Sequence, residues 1–265
     1  MSLLRSAANR FLPESRVKET LRYLSHPEWK KQGWGFDFST LSYTIEYADN
    51  SGERRMFHFP FASDKEVGYY FRLSAFRIEV PGYLDAWDKS SIIIDAGAYP
   101  GDLAFAAASL PGVEQVIALE PNPRSRAYTQ QVLDANNLSG KVKLLPYALA
   151  DREGMSTFTE NHQGSALDPN GKVIVKTVTL DGIIKKYGLE GRKLFVKMDI
   201  EGAELMAVLC CQQAIAAGST FVIAAYHTVD GQQTYVPLTR VFELAGYQTK
   251  LTCPEHLLLV ASPRN

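Results

Sequence analysis

From residue 91 onward the chain alternates between short apolar runs and helix-patterned stretches. Ile92-Ile93-Ile94-Asp95 is a β-branched run ending in one acid, and Gln115–Glu120, Val142–Ala148, Lys193–Asp199 and Thr220–His227 repeat the design. Between them, Leu103–Ala108, Ser125–Asn137, Gly182–Tyr187 and Val236–Ala245 read as helices, and another follows Glu204. Strands that are apolar on both sides, alternating with helices, predict an α/β fold with a mostly parallel sheet covered on both faces. The last two strands, Tyr247–Cys253 and His256–Ala261, are joined by Pro254-Glu255. That link is short enough for a hairpin, so one edge of the sheet is expected to be antiparallel. Met155–Thr159 and Val173–Val178 are strand-like and bracket an insertion whose polar loop, Glu160–Gly171, is a candidate mobile segment near a site.

The first 88 residues follow a different pattern. Residues 14–30 place Val17, Leu21, Tyr23 and Leu24 near helical spacing. Leu41–Tyr47 alternates as a strand does, Asp49–Gly52 is turn chemistry, and Arg55–Phe59 returns as the second strand of a hairpin. Tyr69–Phe76 is aromatic and basic, and Pro81-Gly82 breaks the chain. Residues 1–88 are therefore expected to form a small α+β region on the substrate side, and residues 89–265 the principal domain.

Composition narrows the class. The chain has 265 residues, 46% of them hydrophobic and 22% charged, with a net charge of −1. These are values of an ordinary globular protein without a global basic field, so nucleic acid is not the expected partner. No apolar run reaches the ~20 residues of a membrane span, and Met1–Ser6 does not open a signal peptide. The three cysteines, Cys210, Cys211 and Cys253, form no C-x-x-C pair and read as free thiols of a cytoplasmic protein. Nothing in the pattern decides between a monomer and a homo-oligomer.

The chemistry gathers at strand ends. The first strand runs into Asp95-Ala96-Gly97-Ala98-Tyr99-Pro100-Gly101-Asp102 and then a helix, the opening of a βαβ unit with a nucleotide-type pocket. The glycines are four apart, unlike G-x-G-x-x-G. Asp102 stands in the first helical turn, where its charge opposes a phosphate. The turn suits a ligand without phosphates, and S-adenosylmethionine, with its ammonium and sulfonium, fits. Glu120, 25 residues beyond Asp95, stands where a carboxylate can accept both hydroxyls of a ribose. Asn122 lies along the expected adenine edge, and Ala148, with Tyr147, forms the other wall of that slot. Lys197 and Asp199 are two apart on a strand and share a face. Glu201 and Glu204 follow in the helix start, and His227 ends the neighbouring strand.

Four motifs in this order carry a family resemblance. Asp95-x-Gly97-Ala98-x-x-Gly101-Asp102, Glu120-Pro121-Asn122-Pro123, Thr179-Leu180-Asp181 and Lys197-x-Asp199-x-Glu201-Gly202-Ala203-Glu204 resemble the FkbM-type family of S-adenosylmethionine-dependent methyltransferases. The resemblance covers about residues 90–230, and its last block is the most specific. It implies a Rossmann-like class I methyltransferase fold, seven strands with an antiparallel edge. It also implies methyl transfer to a hydroxyl of a small molecule, glycan or lipid metabolite. Tyr99 departs from the Asn common in the family. On this reading Asp95, Gly97, Ala98, Tyr99, Gly101, Asp102, Glu120, Asn122, Ala148 and Asp199 hold the cofactor. Asp199 is the first choice for the base or orienter, Glu201 and His227 are second choices, and Lys197 completes the catalytic set.

Competing readings have specific weaknesses. Asp199, Glu201 and His227 could in principle hold a divalent metal, but one His and two acids from two strands are too thin a pattern, and no metal is expected. An RNA methyltransferase would use Arg54, Arg55, Arg72 and Arg77 with Tyr69, Tyr70, Phe71 and Phe76, a mixture of charge and stacking surface. Packing of those aromatics inward is the simpler account. A NAD-dependent oxidoreductase is opposed by Asp102 and by the glycine spacing.

Overall fold

A computed structural model describes residues 20, 23–24, 27–31, 33–48, 54–60, 80, 82–159, 166–167, 170–252 and 257–264. Most of the helix expected over 14–30, the Asp49–Gly52 turn, the Tyr69–Phe76 segment, most of the 160–171 loop, Cys253 and the Pro254-Glu255 link lie outside these residues.

The order of elements begins with a short helix α1 (Pro27–Lys31) and strands β1 (Trp34–Asp37), β2 (Ser42–Ala48) and β3 (Arg54–Phe59). Next come β4 (Ile92–Ala96), α2 (Asp102–Ser109), β5 (Gln115–Leu119), α3 (Pro123–Ala135) and β6 (Val142–Leu145). The insertion holds β7 (Tyr147–Leu149), β8 (Gly154–Thr159), β9 (Ala166–Leu167) and β10 (Val173–Val178). The chain continues through α4 (Leu180–Tyr187), β11 (Leu194–Met198), α5 (Glu204–Val208), α6 (Gln212–Ala216) and β12 (Thr220–Ala224). It ends with a small β13 (Thr228–Val229) and β14 (Gln232–Gln233) pair, α7 (Tyr235–Leu244), β15 (Tyr247–Thr252) and β16 (Leu258–Pro263).

Seven strands form the main sheet in the order β15-β16-β12-β11-β4-β5-β6. The five strands from β12 to β6 are parallel. β16 is the reversed strand and sits one place in from the edge; β15 pairs antiparallel outside it. Order and direction are those of the class I methyltransferase sheet implied by the sequence motifs. The expected strand Val142–Ala148 divides in two. Proline has no N–H for a ladder, and at Pro146 the chain leaves β6 in the main sheet and enters β7 in a separate sheet, β7-β10-β8-β9.

The central strands alternate perfectly between two cores. Ile93, Phe195 and Val222 face one cluster, with α2, α3 and the β1–β3 sheet. Ile92, Ile94, Val196 and Met198 face the other, with α4 to α7. Burial on both sides is why these strands are apolar at every position rather than at every second one.

Helix α2 shows the same logic. Its sequence, Asp102-Leu-Ala-Phe-Ala-Ala-Ala-Ser109, is apolar all round, and every residue from Leu103 to Ser109 is buried. A helix without a polar face must be covered on every side, and β1–β3 supply the outer cover. Phe57 of β3 stacks on Phe105 with ring centroids 3.9 Å apart. Asn136, after α3, docks on the backbone of β3 as a neighbouring strand would. It accepts from the His58 N–H at 2.9 Å and donates to the His58 carbonyl at 2.7 Å.

Phe57 is fully buried, so Phe57→Ala opens a cavity between the small sheet and α2. The expected cost is about 3–5 kcal/mol of unfolding free energy, measured by denaturant titration. A loss below about 1 kcal/mol would show that the small sheet does not depend on this contact.

Candidate active site

The register of the sheet sets Lys197 directly beside Asp95 on the adjacent strand. Both side chains are almost fully buried, and Lys197 Nζ lies 3.1 Å from Asp95 Oδ1. The ammonium also donates to the carbonyls of Gly97 at 2.7 Å and Ala96 at 3.3 Å. Burial disfavours its charge, but Asp95 and then Asp199 outweigh burial and hold Lys197 above the ordinary lysine range. A buried ammonium is tolerated only with such partners.

The turn after β4 is shaped by glycine. Gly97 has φ 78°, and a Cβ there would collide with the Asp199 backbone carbonyl. The N–H groups of Gly97 and Ala98 both donate to the Leu119 carbonyl at 3.0 Å. Gly101, with φ 98°, caps α2 against Thr129, and Asp102 accepts from the Leu103 N–H at 2.7 Å. The first and second strand ends are thus drawn together.

Glu120 is buried at that junction. Its two oxygens accept from the backbone N–H of Asn122 at 2.9 Å and of Tyr99 at 3.2 Å. Burial, opposed by these two bonds, pushes its pKa up to about 7. A carboxylate has about four acceptor positions, so two hydroxyls can still be accepted. Asn122 proves to be a helix cap: its side-chain oxygen accepts from the Arg124 and Ser125 N–H groups, which commits that oxygen locally. Ala148 belongs to β7, and its side chain packs with Phe158 and Val175 inside the insertion sheet.

The turn after β11 carries the acids. Asp199 donates its backbone N–H to the Ala96 carbonyl. Its carboxylate, about a quarter exposed, lies within reach of two tyrosines. Tyr83 Oη donates to Oδ2 at 3.2 Å, and Tyr226 Oη to Oδ1 at 3.5 Å. Burial raises the Asp199 pKa, against the pull of Lys197 and His227. Glu201 adopts φ 57° and Gly202 φ 98°, a left-handed pair that costs a non-glycine residue roughly 1–2 kcal/mol. Glu204, fully buried, holds this turn: its Oε1 accepts from the Ile200 N–H at 3.0 Å and the Gly202 N–H at 3.2 Å.

His227 closes the cluster. Its Nε2 is 3.2 Å from Glu201 Oε2 and 3.8 Å from Asp199 Oδ1, and its Nδ1 is 3.1 Å from Glu204 Oε1. Burial works against its charge, yet Glu201 and Glu204 outweigh it and raise its pKa to about 10. In the cluster as it stands, His227 is a cation across the neutral range rather than a free base. One donor atom each from Asp199, Glu201 and His227 lie within 4.8 Å of one another. Sequence reasoning missed Tyr83, whose ring also lies 5.4 Å from Lys197 Nζ. The only signal was its place after Pro81-Gly82, just ahead of the first parallel strand. Thr179 and Asp181 prove to be scaffold: Thr179 caps α4, and Asp181 accepts from the Gln213 N–H at 3.1 Å.

A family model described as the methyltransferase FkbM domain matches residues 95–247. The match spans more than half of the sequence, and the chain belongs to that family. It is an S-adenosylmethionine-dependent methyltransferase, which sets aside the oxidoreductase alternative. No curated protein sequence matches it. Among solved structures, it is similar to a precorrin-6y C5,15-methyltransferase from Geobacter metallireducens, at 13% identity over 70% of this chain and 87% of the other, TM-score 0.45. A SAM-dependent methyltransferase from Aquifex aeolicus is similar at 10% identity, over 74% and 96% of the two chains, TM-score 0.45. An rRNA methylase from Streptococcus thermophilus is similar at 14% identity, over 70% and 94%, TM-score 0.43.

Lys197→Met leaves the Asp95 carboxylate buried and uncompensated. The expected loss is about 3–5 kcal/mol of stability, measured by denaturant titration. Asp95→Asn added to Lys197→Met should recover part of it. Equal stability of the single and double variants would show that the pair is not coupled.

Proposed function

We propose that this FkbM-family enzyme methylates a hydroxyl oxygen of a small molecule, glycan or lipid metabolite, with Asp199 as the base or orienter of the acceptor. The observation that supports this reading most is the setting of the Asp199 carboxylate. It stands at the carboxyl end of β11, partly open, with two tyrosine hydroxyls and His227 around it. Ligands of open parallel sheets bind at that rim. No helix among the described residues is long and apolar enough to cross a membrane. Cys210 and Cys211 are free thiols, in keeping with a cytoplasmic setting. Residues 1–88, as a region on the substrate side, would form one wall of the acceptor pocket, through Tyr83.

S-adenosylmethionine would lie across the carboxyl ends of β4 and β5. Its methionine end would rest on the Asp95–Asp102 turn, and its ribose hydroxyls on Glu120, with the adenine between Asn122 and the Ala148 backbone. The sulfonium and ammonium match a rim rich in carboxylates. The acceptor oxygen attacks the methyl carbon in line with the sulfur. The carbon–sulfur bond breaks, its electron pair stays on sulfur, and a neutral thioether leaves. The hydroxyl proton passes to Asp199. Alignment contributes most of the rate, and a positioned base adds ~10²–10⁴-fold. Burial raises the affinity of the Asp199 carboxylate for a proton, against the pull of Lys197 and His227.

Asp199→Ala should leave S-adenosylmethionine affinity within a few-fold and abolish turnover on any hydroxyl acceptor found by assay with methyl-labelled donor. Retained turnover removes Asp199 from the chemistry. Glu120 gives a pH test with a definite sign. Its carboxylate is neutral below a pKa of about 7, and the charged form binds the ribose hydroxyls more strongly. Donor affinity, followed by calorimetry, should therefore rise from pH 6 to pH 8. In Glu120→Gln it should be weaker and flat. An unchanged slope in that variant assigns the pH dependence elsewhere.

A further inference from the structure

We propose that Asp199, Glu201 and His227 form a divalent-cation site, matched best to Mn²⁺, and that Glu204 orients the histidine for it. The argument starts from the histidine. Its Nδ1 faces the Glu204 carboxylate at 3.1 Å, and two lone pairs at that distance repel, so the proton belongs on Nδ1. Glu204 is fully buried and pinned by two backbone N–H groups, so the ring cannot easily turn away. This is the outer-shell arrangement of a ligating histidine: a carboxylate on one nitrogen fixes the tautomer and presents the other.

The other nitrogen, Nε2, whose proton a binding ion displaces, faces a space walled by two more carboxylates. Glu201 Oε2 is 3.2 Å away and Asp199 Oδ1 3.8 Å. Ligand atoms at right angles on an ion, each about 2.1 Å from it, are roughly 3 Å apart, and opposed ligands are somewhat over 4 Å apart. The observed separations, all within 4.8 Å, fit that set with small adjustments. A second observation is independent of the spacing. Both ring nitrogens and the second oxygen of Glu204 are shut off from solvent, and none makes an aligned hydrogen bond among the described residues. Buried polar atoms of a native protein are normally satisfied. An ion lying off the nitrogen–oxygen line satisfies Nε2 and both carboxylates at once.

The donor set selects the ion. Two carboxylates favour hard ions such as Mg²⁺, Ca²⁺ and Mn²⁺, and an imidazole favours the transition metals. Mn²⁺ accepts both. The protein would supply three ligands and leave further positions open. Use of the site in turnover rests on the hydroxyl-methylation reading. An acceptor oxygen that binds the ion loses its proton more easily. Asp199 then holds the ion through Oδ1, the atom that faces His227, and the proton passes to its Oδ2 as the oxygen attacks the methyl carbon.

The test uses the full chain after chelator treatment. Mn²⁺ is titrated and followed by calorimetry and by loss of the free-ion electron paramagnetic resonance signal. One saturable site is expected. Glu201→Gln, at a partly exposed residue, should weaken it at least tenfold without unfolding the protein, and Glu204→Gln should weaken it about 10–100-fold. Zn²⁺ should bind the same site more tightly than Mn²⁺ and lose affinity in the same variants. Absence of saturable binding at 1 mM Mn²⁺, on the order of ordinary weak sites, overturns the proposal. So does binding that Glu201→Gln leaves unchanged. S-adenosylmethionine binding is measured in parallel without metal. Its loss strikes the methyl-transfer reading and leaves the ion site to its own result.

Discussion

The ammonium of Lys197 is the constraint on which the rest of the site depends. It is charged, almost fully buried, and can persist only because Asp95 and two carbonyls surround it. Those partners are the last residues of β4 and the first of the turn. The lysine therefore joins two central strands at the point where both stop pairing. Gly97 completes the junction, because only a residue without a Cβ lets the Asp199 carbonyl approach that closely. The turn that would cradle the donor and the carboxylate that would serve the acceptor are fixed by one ion pair and one backbone contact. Their relative position does not rely on loops.

A second arrangement works against local preference and is stabilised by charge. Glu201 adopts a left-handed conformation that disfavours a side chain. Glu204 offsets this with two charge-assisted hydrogen bonds across the same turn. The outcome is a carboxylate lifted toward His227, next to a second from Asp199. Three acids around one imidazole make a rim that attracts cations, and a sulfonium cofactor is one.

Much of this was legible in the sequence because strand ends in a parallel sheet have fixed neighbours. Asp95, Glu120, Lys197 and Asp199 could be placed on one rim once the strands were recognised, and the spacing of Lys197 and Asp199 gave their common face. Four features were not legible. Tyr83 reaches Asp199 across 116 positions of sequence, and no local pattern records so distant a contact. Asn122 caps α3 through its side-chain oxygen, a second role that residue type alone does not separate from a ligand contact at the same place. Pro146 was read through as part of a strand, and it divides two sheets. The left-handed turn at Glu201 and the tether at Glu204, which bring Asp199, Glu201 and His227 together, are not written in residue types alone.

The small sheet then acquires a mechanical meaning. Gly101 caps helix α2, so the orientation of the turn before it follows the orientation of that helix. The helix is apolar on every side and cannot be held by the main sheet alone. Phe57 and Asn136 fasten the cover from β3 onto α2 and the end of α3. Tyr83, further along the same stretch of chain, fastens to Asp199. The N-terminal residues thus press on the rim at two points, one behind the Asp95–Asp102 turn and one at the Asp199 carboxylate. A change in their packing would move both together, so that under the proposed reading this region would belong to the geometry of methyl transfer.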